Sequence, residues 1–218
     1  MTRQAAKGRK KERNSLAEVA YDSVFRMILS RELPGGTVIQ ERKLADALGI
    51  SRTPTREALV RLEGEGWLVR LTERLLSVKV VTLEEYLQAL SVRQLLECDA
   101  IEAAVGNLTP ERVAELRRML DKLTADAKPT NEAHWAFDDA LHNGIADAGG
   151  NAVAARIIRN LRNITRLFES QTVPQRLRPG IAEHEAILTA LESGKAARAR
   201  KAMARHLEQV RAGVLDNL

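Results

Sequence analysis

Aromatic residues are scarce in this chain: two Trp, two Tyr and three Phe make up 3% of 218 residues. Recognition of unpaired bases by stacking needs a platform of such rings, so an RNA-type stacking surface is disfavoured. Cysteine is scarcer still. Cys98 is alone and can form no intrachain bridge, which excludes a disulfide-stapled scaffold. Long apolar runs are missing too: no stretch free of Asp, Glu, Lys and Arg exceeds eight residues, whereas a membrane-spanning helix needs about 20 mostly apolar positions. A secretory leader is not expected, because Glu18, Asp22, Arg26 and Arg31 interrupt the stretch from Leu16 to Glu32 where its apolar centre would lie. The expectation is a cytoplasmic protein without membrane contact.

Charge is plentiful but unevenly placed. The formal net charge of +5 matches the excess within residues 1–13, where Arg3, Lys7, Arg9, Lys10, Lys11 and Arg13 face only Glu12. Residues 14–81 hold 10 basic and 9 acidic side chains, and residues 82–218 hold 18 and 19. The arm has few apolar side chains with which to order itself, so residues 1–13 are expected to be disordered. Two readings of it stand: sequence-independent attraction to a polyanion, or a solubilising tail.

Residues 14–81 carry the pattern of a winged helix-turn-helix. Ser15 is placed to cap a helix through Leu16, Val19, Ala20, Val24, Met27 and Ile28, ending before Pro34-Gly35-Gly36. A short helix from about Gln40-Glu41 buries Leu44, Ala47 and Leu48 and stops at Gly49, a residue suited to the left-handed C-cap. Ser51 then caps a third helix with Pro54 in its first turn and Ala58, Leu59 and Leu62 on its buried face. Two short extended stretches, Trp67–Leu71 and Leu76–Val81, flank a tip at Thr72-Glu73-Arg74. The helix after such a turn can enter the major groove with its first residues facing base edges. Arg52 and Arg56 are therefore candidate readers, since a bidentate arginine–guanine contact discriminates by roughly 1–3 kcal/mol. Arg42 can reach a phosphate. Winged helices also serve as protein-interaction modules, so the pattern alone leaves that alternative open.

Longer motifs narrow the choice. Leu33-Pro34-Gly35-Gly36, Glu41-Arg42-Lys43-Leu44-Ala45, the run from Gly49 to Leu59 and Arg61-Leu62-Glu63-Gly64-Glu65-Gly66-Trp67-Leu68 resemble the DNA-binding domain of GntR-family repressors. The resemblance implies that Arg42, Arg52, Thr53 and Arg56 contact operator DNA and that the wing tip reaches the minor groove. The wing departs from the family, which usually has glycine where this chain has Leu75. Arg74 is the remaining wing candidate, for a phosphate.

Residues 82–218 read as wholly helical, a bundle with a single core. It opens on the capping box Thr82-Leu83-Glu84-Glu85, and Thr109-Pro110-Glu111 starts the next helix. Asp138 and His142 are one turn apart on the face of Phe137, Leu141 and Ile145, while His184 and His206 lie in line with apolar stripes of their own. A buried carboxylate needs a cation or hydrogen bonds. Three inward imidazoles around it can hold a metal ion, or each can be a satisfied core residue.

Here Asp138-Asp139-Ala140-Leu141-His142, Gly150-Asn151, Glu183-His184-Glu185-Ala186-Ile187 and Met203-Ala204-Arg205-His206-Leu207 are similar to the FCD domain of the FadR subfamily. The resemblance implies that residues 82–218 are an effector-binding and dimerisation domain, in whose metal-binding branch Asp138, His142, His184 and His206 hold a divalent ion, commonly zinc or nickel, with positions left for water or an effector carboxylate. His134 is surplus to that set and is assigned a surface or supporting role. Arg93 matches a basic position on the first effector-domain helix; it is either an anion clamp or an i, i+4 partner of Glu97. Arg156, Arg159, Arg162 and Arg166 are expected on a solvated face, and Asn160 near the pocket. The implied protein is a homodimeric, ligand-responsive regulator that binds a pseudo-palindromic double-stranded DNA operator, with a small organic acid as effector. It is not an enzyme, although a mononuclear Asp/His3 metalloenzyme is the alternative on ligand set alone.

Overall fold

The structure is a computed structural model that describes residues 2–73, 75–172 and 177–217, with side chains described from residue 16 onward except at 177–179. The chain folds into two compact units, Met1–Thr82 with Arg166–Thr172, and Leu83–Thr165 with Val173–Leu218.

In the first unit, helix α1 (Thr2–Leu29) buries Ala20, Val24 and Ile28, a four-residue stripe, and packs on α3. Residues 2–13, expected to be a disordered arm, are helical and run straight into this helix, so no helix begins at Ser15. The reason is local: Gln, Ala, Lys, Arg and Glu are good helix formers, and propagation from a helix already packed on a core avoids the cost of nucleation. Helix α2 (Glu41–Leu48) ends at Gly49, whose φ of 64° is the left-handed cap that the sequence predicts. Helix α3 (Arg52–Gly64) follows with Ser51 at the N-cap, but the Ser51 side chain makes no cap bond; the Thr55 hydroxyl donates to the Ser51 carbonyl instead, at 3.0 Å.

The wing is a three-stranded antiparallel sheet in the order β1-β3-β2, formed by Val38–Ile39, Leu68–Thr72 and Leu75–Val78. Strand β1 is not foreseen, because two residues are too few to show an alternation. Trp67 is fully buried in this unit and lies edge-on to Phe25 at 4.9 Å between ring centres. Arg74 lies outside the described residues.

The second unit contains, among the described residues, α4 (Leu83–Ala104), α5 (Pro110–Ala125), α6 (Asn131–Ala148), most of α7 (Ala152–Thr172), α8 (Leu177–Glu192) and α9 (Ala196–Leu215). Thr109 caps α5 by accepting from Arg112 N at 3.3 Å, Thr130 caps α6, and the Asn151 Oδ1 accepts from Val153 N and Ala154 N at the start of α7. Helix α4 packs on α6 and α9, and α9 on α8. At Gly149 a Cβ would stand 3.0 Å from the Ala100 carbonyl oxygen, so glycine is what lets the end of α6 approach α4. That approach fixes α6 against the α4 face bearing Arg93 and Glu97. No described helix is long and apolar enough to cross a membrane.

Candidate metal centre and nucleic-acid face

Three helices of the second unit deliver four ligand-type side chains to one place. Asp138 and His142 come from α6, His184 from α8 and His206 from α9, and one donor atom of each lies within 4.8 Å of the others. The imidazoles are buried, at 1%, 1% and 4% exposure. The sequence-predicted quartet is therefore assembled as a unit.

The orientation of two of the rings comes from carboxylates outside the quartet. His142 Nδ1 pairs with Glu97 Oε2, and His206 Nδ1 lies 2.8 Å from Glu183 Oε2. A neutral ring that donates from Nδ1 turns the Nε2 lone pair to the opposite side, which is the tautomer a metal requires. His142 Nε2 and both nitrogens of His184 are buried without a hydrogen bond, although His184 Nε2 comes to 3.2 Å from Asp138 Oδ1 in poor alignment. Each such orphaned group costs about 1–3 kcal/mol. A divalent ion bound by the His142 Nε2 lone pair and by one nitrogen of His184 would remove that cost at those two atoms, and three imidazoles with one carboxylate suit zinc, nickel, manganese or iron. The residues fit a metal ion.

Electrostatics agree with that donor set. Burial pushes the His184 imidazole down to about 3, and burial followed by the neighbouring His142 lowers His206 as well, so both are neutral donors near pH 7. Burial works against ionisation of Asp138, yet the Arg162 guanidinium and His142 hold its carboxyl well below the usual range. Glu97 is likewise penalised by burial and likewise held low, by Arg93 and His142.

Arg162 departs from the sequence expectation. Expected on a solvated face, it is 4% exposed, and its Nη2 donates to Asp138 at 2.7 Å and to Asp139 at 2.9 Å. A signal for this exists in the sequence: Ala155, Ile158, Arg162 and Thr165 fall on one buried stripe of α7 at three- and four-residue spacing. Asn160 is off that stripe and exposed, which corrects its placement near the pocket. Arg93 is buried, with Nε donating to Glu97 at 2.6 Å and Nη1 to Thr165 Oγ1 at 2.8 Å. The i, i+4 pair foreseen as one alternative for Arg93 is thus formed, and it belongs to a chain running from His142 through Glu97 and Arg93 to Thr165. His134 stands beside the cluster, its ring centre 5.9 Å from that of His184.

In the first unit Arg42 is exposed at the start of α2, and Arg52, Thr53 and Arg56 are exposed at the start of α3. The two α3 arginines share an acidic neighbour: Arg56 donates to Glu41 from Nε and Nη2, both at 2.8 Å, and Arg52 Nε lies 3.4 Å from the same carboxylate. Leu75, at the wing, is exposed.

Comparison with known proteins gives the same two parts. Residues 16–74 match the model of bacterial regulatory proteins of the gntR family, and residues 88–209 match the FCD domain. An uncharacterized HTH-type transcriptional regulator in an unstable DNA locus of Streptomyces ambofaciens is 30% identical over 197 residues, covering 87% of this chain and 81% of the relative. The HTH-type transcriptional regulator LutR of Bacillus subtilis is 29% identical over 209 residues, 84% of this chain and 94% of LutR. Among solved structures, E. coli McbR/YncC superposes with a TM-score of 0.75 at 25% identity, covering 92% of this chain and 97% of that one. A winged head followed by an FCD domain, with relatives of matching length, makes this chain a member of the GntR family in its FadR-like branch: a DNA-binding transcriptional regulator.

Proposed function

We propose that this regulator is a repressor that binds a pseudo-palindromic operator as a homodimer and responds to a small organic acid held at a divalent metal ion, zinc or nickel, in the helical unit. The observation that carries the effector side is the convergence of Asp138, His142, His184 and His206 within 4.8 Å in a buried site. A bound ion would offer open coordination positions to a carboxylate. Arg93 and Arg162 supply buried positive charge around it, with Arg93 as the proposed anion contact. On the DNA side Arg52, Thr53 and Arg56 are the proposed base-facing residues, Arg42 the proposed phosphate contact and Arg74 the proposed wing contact. Occupancy of a stretch of duplex is enough to exclude other proteins from it, so repression needs no further surface. A two-fold dimer matches a two-fold operator. Exposed apolar pairs on α4 (Val92, Leu95) and α7 (Val153, Ile157) support self-association. No catalytic role is assigned: the relatives are transcriptional regulators.

The test is metal analysis of protein purified without an affinity tag, beside His184→Ala. About one ion per chain is expected in the parent and a clear deficit in the variant. Equal metal content in both would leave His184 as a core histidine and remove the pocket as proposed. A thermal-shift screen of small carboxylic acids then identifies the effector, because a ligand that binds only the folded state raises apparent stability.

A further inference from the structure

Glu41 is the first residue of α2, and the Gly49 turn folds α3 back so that the starts of the two helices lie together. Its carboxylate takes the Nε and Nη2 positions of Arg56 in a two-bond fork, both bonds at 2.8 Å, and touches Arg52 only through Nε at 3.4 Å. The hydrogen bond from Arg56, more than any other interaction, lowers the Glu41 carboxyl below its ordinary value, so the pair is ionised near neutral pH. The arginine side chains are 63% exposed. An ion pair this open contributes little to folding. Its position on the proposed DNA face calls for a different explanation.

A guanidinium presents five N–H groups on a rigid plane. With the Nε–Nη2 edge occupied by Glu41, the Nη1–Nη2 edge of Arg56 remains, and that edge matches the O6 and N7 acceptors of guanine. We infer that Glu41 is a positioning residue for sequence reading: it holds the Arg56 fork by one edge so that the other is presented to a base rather than drawn to the nearest phosphate. The carboxylate also offsets the charge of the arginine it holds and repels phosphates. It therefore weakens attraction to any duplex while sharpening the choice among duplexes. Arg52, with one long hydrogen bond, is not held in this way. The inference rests on Arg56 reading a base, as proposed above.

The two opposed effects make the test specific. Full-length parent, Glu41→Gln, Arg56→Ala and the double variant are titrated by fluorescence anisotropy against an operator selected from random DNA, operators changed at each guanine, and a random duplex of equal length. Glu41→Gln should bind the random duplex more tightly, by roughly three- to tenfold, since one repelling charge is removed and an arginine is freed for phosphates. Its operator-to-random ratio should fall by at least as much, with the loss confined to the base pair whose identity Arg56→Ala ignores. In the double variant the Glu41 change should add no further loss there. Because a ratio of affinities cancels the active fraction, partial unfolding cannot mimic this result. If Arg56→Ala erases preference at one base pair while Glu41→Gln leaves it intact, Glu41 is only a surface ion pair and the inference fails alone. If Arg56→Ala erases no preference, the reader assignment fails and takes this role of Glu41 with it.

Discussion

A neutral imidazole has one nitrogen that donates and one that accepts, and its neighbours decide which is which. Glu183 decides for His206 and Glu97 for His142, but the two carboxylates differ in what else they do. Glu97 is buried and also neutralises Arg93, so Glu97→Gln would strand a charge in the core as well as release the ring. Glu183 has 13% side-chain exposure, so water reaches the site of its change, which makes Glu183→Gln the milder probe. It should weaken metal binding by about 10–100-fold and leave the fold intact, as competition against a chelator and circular dichroism would show. Metal affinity equal to that of the parent would mean that packing alone orients His206. None of this is legible in the sequence. The i, i+4 spacing of Asp138 and His142 shows which face they share, but it cannot show which carboxylate on another helix meets the far side of each ring. The quartet is legible because each member stands where its stripe demands an apolar residue. Arg162 hides among four arginines that read together as one solvated face, although it alone of them lies on the Ala155–Ile158–Thr165 stripe.

At the scale of elements, strong local signals are the readable ones. Gly49 takes the left-handed conformation at the end of α2, Pro54 is accommodated in the first turn of α3, and Thr109 and Asn151 cap α5 and α7. Weak signals are the ones lost: β1 is held by pairing with β3, a partner almost forty residues away, rather than by anything in Val38–Ile39 itself. The basic arm is the largest difference, since composition argues for disorder and the chain is helical from Thr2. Its electrostatic consequence does not depend on that difference. Six basic side chains ahead of a DNA-binding head should attract any duplex equally, so deletion of residues 1–13 should weaken operator and random DNA by the same factor. For each phosphate that is no longer neutralised, the slope of log affinity against log salt should also fall by roughly 0.9. Salt titrations of the two proteins on both duplexes decide it; an unchanged slope would make the arm a solubilising tail.

For the whole molecule, an effector and an operator that bind the same chain are linked through its populations. A ligand in the helical unit can change DNA affinity only if it binds one arrangement of the protein better than another, and tight binding to both would change nothing. The buried chain from His142 through Glu97 and Arg93 to Thr165 is the set of interactions that an ion or anion bound at the cluster would have to bias. Linkage then fixes a relation that no detail of the path can alter. If a saturating acid weakens operator binding by some factor, typically about 5–150-fold for such coupling, saturating operator must weaken binding of the acid by the same factor. Paired titrations measure both: operator affinity by anisotropy with and without the acid, and acid affinity by calorimetry with and without operator, at one salt concentration and with metal-loaded protein. Equal factors are the expected result. Unequal factors would mean that the acid acts on something other than the equilibrium of this protein with its DNA, such as removal of the metal, and metal analysis of the titrated sample would then show the loss.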